Sequence, residues 1–127
     1  MKNDRKVIEK GNKNWTPLFD RDNFIAAFEH HTHHRKFTYK LNNGTIANNG
    51  VRYIGDGSWG VPEGGCGEHR FTKHPELFEH YDTDHNPNHI WKIRIIKTAE
   101  KAHSIEYEAI GLEGNSIFNQ TDHLVLP

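Results

Sequence analysis

The sequence has a single cysteine, Cys66. A lone thiol closes no internal disulfide, so the core must hold the fold, and a reducing compartment is expected. No run of about 18 apolar residues occurs, which excludes a membrane-spanning helix. The opening stretch MKNDRKVIEK lacks the apolar block of a secretory leader, so the expected location is cytoplasmic and the chain soluble. Neither sign of charge dominates: 16 basic and 17 acidic residues give a net charge of -1. A strongly basic nucleic-acid binder is therefore not expected, nor is a membrane partner. Hydrophobic residues are scarce, at 34%, but seven Phe, four Tyr and three Trp supply large apolar areas to a small core.

What is abundant is histidine, 11 in 127 residues. Full protonation would move the net charge from -1 to +10, so the electrostatic field is sensitive to mildly acid pH. The length suits one domain. Residues 1–14 are polar and charged and read as a flexible N-terminal arm, with a single α+β domain over 15–127.

Periodicity gives the expected elements. Phe24, Ala27, Phe28 and His31 lie at helical spacing after Asp20, Asp22 and Asn23, each able to cap a helix. The spacing predicts the main helix over Asp22 to His31. Pro75 in a first turn, followed by Leu77, Phe78 and Tyr81, predicts a short second helix over Pro75–Tyr81. Phe37, Tyr39 and Leu41 alternate with polar residues as a half-buried strand. Asn43-Gly44 and Asn49-Gly50 both carry the type I′ turn signature, after which Val51–Gly55 returns antiparallel. Near the C-terminus, a hairpin centred on residue 100 pairs Trp91 with Ala109, Ile93 with Tyr107 and Ile95 with Ile105 on a dry face. On its wet face Lys92 meets Glu108 and Arg94 meets Glu106. Glu113-Gly114-Asn115 predicts a turn into a strand from Ser116, and His123–Leu126 reads as a short last strand. The sum is an α+β fold: a curved antiparallel sheet of five to seven strands with one main and one short helix, a cone or roll with a pocket at its open end. A closed β-barrel is the alternative.

The segment GDGSWGVPEGGCG, residues 55–67, holds six glycines and permits close approach of a ligand. Its formal GxGxxG is no dinucleotide fingerprint, because no helix follows Gly60. The expected function is a small-molecule-binding domain with a partly apolar pocket and histidine acid–base chemistry. His69 would be the general acid or base, oriented by Glu68 or Asp56. Trp59, His31, His89, Trp91 and Tyr107 would line the ligand site. Two further readings stand beside it. One is a metal-dependent enzyme holding a divalent ion on His31, His33, His69 and one carboxylate. The other is a non-enzymatic interaction module or phage- or toxin-associated inhibitor, and a homo-oligomer is compatible with any of the three. The Asp82–Asn88 run lacks the glycine and terminal glutamate of a calcium loop and reads as an Asx-rich turn.

Overall fold

A computed structural model describes residues 10–21, 23–29, 34–55, 74–81, 88–98 and 101–124. Residues 10–14 are helical and lead through a turn at Trp15 into α1 (Thr16–Arg21). The helix ends where the sequence predicted one to begin. Asn23 takes a left-handed conformation, φ 58°, two residues beyond Arg21. Phe24 then folds back on Phe19, with ring centroids 4.8 Å apart. A left-handed Asn followed by an apolar residue that touches the last turn is a helix C-terminal motif. Asp20 and Asn23 therefore belong to the close of one helix, not the start of another. Ala26–Glu29, expected as helix, is strand β1. It adds in parallel to a neighbouring strand, and that tertiary pairing overrides the helical spacing of Phe24, Ala27 and Phe28.

The remaining strands are β2 (Lys36–Thr38), β3 (Leu41–Asn42), β4 (Thr45–Ile46), β5 (Arg52–Gly55), β6 (Phe78–Tyr81), β7 (His89–Thr98), β8 (Lys101–Gly111) and β9 (Ser116–His123). The described residues form three sheets: a mixed one in the order β1-β5-β2-β6, a two-stranded β3-β4 and a three-stranded β7-β8-β9. They close no barrel, and the single curved sheet expected from the sequence is divided. The short second helix is reduced to a 3₁₀ turn, Pro75–Leu77. From Phe78 the backbone is extended, because β6 pairs with β2.

Turn chemistry holds at one site and fails at another. Asn43 and Gly44 both have positive φ, 49° and 74°, as the β3–β4 hairpin requires. At the second Asn-Gly pair the Gly50 N–H donates to Ala47 O, and Gly50 is needed for space instead. A Cβ there would lie 2.5–2.6 Å from the Leu41 backbone, where Leu41 and Val51 exchange hydrogen bonds. Gly114, φ 78°, makes the predicted turn before β9. That strand runs unbroken to His123, so the separate last strand is replaced by one long one.

The C-terminal hairpin has the predicted register, including Lys92–Glu108 at 3.1 Å and Arg94–Glu106 at 3.0 Å. Its inner face and the mixed sheet enclose the core, in which Phe37, Ile54, Ile105 and Tyr107 are buried. Trp91 and Phe118 pack on them. The Trp91 indole N–H donates to Gly55 O at 3.0 Å and ties the two sheets together. Ile93 and Ile95, expected in the dry layer, are exposed at 39% and 59%. They stand on an edge strand, where cover is incomplete. Tyr39, also expected inside, is 39% exposed, because the β2 alternation breaks at a bulge between Phe37 and Thr38. Among the described residues no helix is long and apolar enough to cross a membrane.

Candidate functional site

The structure separates the residues singled out in the sequence into two groups. Asp56, Trp59, Glu68, His69, His31 and His33 lie outside the described residues. His89, Trp91 and Tyr107 lie within them and are built into the aromatic interior. His89 is 2% exposed and meets Trp91 edge-on at 5.7 Å. Trp91 stacks on Phe37 at 5.6 Å, and Tyr107 meets the same ring edge-on at 5.1 Å. Burial pushes the Tyr107 hydroxyl up to about 12, with nearby Asp122 adding to it and Arg52 opposing. Among the described residues no three His, Cys, Asp or Glu side chains gather as metal ligands.

A histidine the sequence did not single out sits beside this interior. His80 lies flat on Phe118, with centroids 4.4 Å apart and 17° between planes. Its Nε2 accepts a hydrogen bond from Nε of buried Arg35 at 3.0 Å, which requires an unprotonated Nε2. Burial, then Arg35, then His89 hold the imidazole down at about 4. The folded chain thus refuses a proton that the unfolded chain takes up near pH 6.5. His80 stabilises the fold fully above pH 6.5, and the contribution is lost as pH falls toward 4. Partial enclosure screens the effect, so about 2 kcal/mol of stability should disappear across that window. Urea unfolding at pH 7.5 and 4.5 checks this. The acid loss should shrink in His80→Gln, and an unchanged loss would refute the assignment.

Two concavities lined by described residues bear on function. One is an apolar cleft of about 410 Å³ between β1 and the hairpin, lined by Phe24, Phe28, Ile93 and Ile95 among others. It can shelter an apolar group, but Asn23 and Tyr107 are its only polar-bearing side chains among the described lining. The other is a groove of about 700 Å³ between α1, the β3–β4 hairpin and β5.

The second groove follows from strand alternation. Arg52 and Ile54 point from β5 into the core, so Tyr53 between them points to the opposite face, toward α1. On α1, Thr16 and Asp20 are four residues apart and share one face. Asp20 Oδ2 accepts the Asn43 N–H at 2.9 Å and docks the hairpin on the helix. Pro17 and Leu41 supply apolar walls, and Asn12 and Asn42 supply amides. The other carboxylate oxygen, Asp20 Oδ1, is buried without a hydrogen-bond partner, and so is the Tyr53 hydroxyl. Thr16 stands near that hydroxyl, but no bond of normal geometry closes between them. Burial raises the Tyr53 pKa; Thr16 works against the rise and the Asp20 charge adds to it. Sequence reasoning missed this groove. Its faint signal was the polar Thr16–Asp20 spacing beside an Asn-Gly hairpin.

Comparison with protein-family models, with curated proteins and with solved structures finds no match for this chain. The geometry alone therefore carries any functional argument.

Proposed function

We propose that the protein is a small-molecule-binding domain and that the groove between α1, β3–β4 and β5 receives the ligand. The observation that carries this reading is one concavity of about 700 Å³, lined from facing elements by both apolar walls and polar groups. Ligand sites have this volume range and this mixture. The described lining contains no histidine, so the proposal is of binding and not of turnover.

Amide-resolved NMR with a chemically diverse fragment set tests it. At least one compound should bind with Kd below about 1 mM and shift the amides of Thr16, Asn42, Asn43, Gly44 and Tyr53 together. Shifts confined to other parts of the fold, or none, would end the proposal.

A further inference from the structure

We infer that the outer edge of β7 is a docking site for an extended segment of a partner protein in which apolar and acidic residues alternate. β7 is ten residues long, contains no proline and stands at one end of the order β7-β8-β9. Among the described residues no strand pairs with its outer side. Lys92, Ile93, Arg94 and Ile95 are exposed in succession, so both faces of the strand are open there. Along such an edge alternate N–H and C=O groups lack a ladder partner, and an added strand supplies one.

The two faces of β7 specify what is added. On one, Ile93 and Ile95 form a wall of the cleft of about 410 Å³ that they share with Phe24 and Phe28, themselves 46% and 45% exposed. Side chains of an added strand on this face extend that wall and cover exposed apolar surface. On the other face, charge is arranged in columns. Lys92 and Arg94 stand on β7, Glu108 and Glu106 opposite them on β8, and Asn119 and Thr121 beyond on β9. The basic column is the outermost, and its side chains are 48% and 58% exposed although each meets one glutamate. Acidic residues on the incoming strand place each cation between two carboxylates and continue the alternation of charge. Opposite charges directly across a ladder stabilise it, and like charges oppose it. The same rule acts against a second copy of β7, because antiparallel pairing centred on Lys92, Ile93 or Arg94 sets a basic residue against a basic one. The edge thus rejects its own kind and accepts an acidic partner.

Capped peptides of about eight residues, alternating valine with glutamate or valine with lysine, test this on the full chain by amide-resolved NMR. The glutamate peptide should bind with Kd below about 1 mM and shift the amides of Lys92, Ile93, Arg94 and Ile95 together. It should bind about tenfold more tightly than the lysine peptide. Backbone N-methylation of its valines blocks one edge of the extended peptide, and N-methylation of its glutamates blocks the other. One of these two forms should lose binding and the other keep it. Lys92→Gln combined with Arg94→Gln should cut the preference for glutamate to about twofold with the fold retained, since exposed ion pairs contribute little to stability. No binding, equal affinity for the two peptides, shifts outside β7, or binding that survives both methylations overturns the inference. So does concentration-dependent dimerisation of the free chain through the same amides, which would give the edge to a second copy.

Discussion

Asp122→Ala should lower the free energy of unfolding by about 3–5 kcal/mol, the cost typical of stripping one partner from a buried ion pair. Asp122 is 5% exposed, and so is Arg52. The Arg52 Nε and Nη2 donate to the two Asp122 oxygens at 2.5 and 2.6 Å, a bidentate pairing between β5 and β9. Nη1 donates to Glu79 Oε2 at 2.6 Å and to Thr38 O at 2.8 Å. Glu79 reaches it from a bulge: Phe37 pairs with His80 and Thr38 with Phe78, so Glu79 falls outside the ladder. Gln120 donates to the other Glu79 oxygen. Burial works against the Arg52 charge, but the Asp122 and Glu79 hydrogen bonds outweigh it and raise its pKa. Asp122→Ala leaves a guanidinium between two sheets with half its hydrogen bonds. The double variant Arg52→Met, Asp122→Leu removes both charges and fills the space, and should be more stable than Asp122→Ala. Urea unfolding followed by tryptophan fluorescence measures both. A loss below about 1 kcal/mol in the single variant would show that the pair contributes little.

This network also marks where the sequence stops being readable. The β7–β8 hairpin was legible because its partners are close in the chain and two patterns, apolar and charged, independently give one register. The inner face of β9 is Phe118, Gln120 and Asp122, and two of those three residues read as solvent-facing. Arg52, on an interior strand of the mixed sheet, reads the same way. A polar residue can be recognised as buried only when its partner is known, and here the partners lie 27 and 70 positions away. The pairing of β1 with β5 is similarly non-local, and nothing in Ala26–Glu29 announces it. The groove lining spans Asn12 to Tyr53 on four elements, with no motif among them. Its orphaned oxygens are a property of packing, which no spacing rule reports. The glycine-rich segment drew attention through composition, but Asp56 to Gly67 lies outside the described residues.

Phe37→Ala should be as damaging as loss of Asp122, again about 3–5 kcal/mol, through a different cause. Phe37 is fully buried on β2 and is the common neighbour of the interior. Trp91 lies on its ring at 5.6 Å, and Tyr107 and Phe118 are each 5.1 Å away. The Arg52 guanidinium sits 4.5 Å from the ring centroid. Alanine removes the transfer energy of a phenyl group and leaves a cavity that two packed sheets cannot collapse to fill. It also exposes the guanidinium to an empty site and removes a cation–π contact of about 0.5–2 kcal/mol. Phe37→Leu separates these terms: it keeps most of the volume and loses the ring, and should cost about 1–2 kcal/mol. Because Phe37 and Asp122 hold the same arginine, their losses should not add; the double-mutant cycle should show coupling of at least about 0.5 kcal/mol. Near-UV circular dichroism and urea unfolding read the three variants. A Phe37→Ala cost below about 1.5 kcal/mol, or strict additivity with Asp122→Ala, would mean that the aromatic cluster and the ion network are separate supports of the fold.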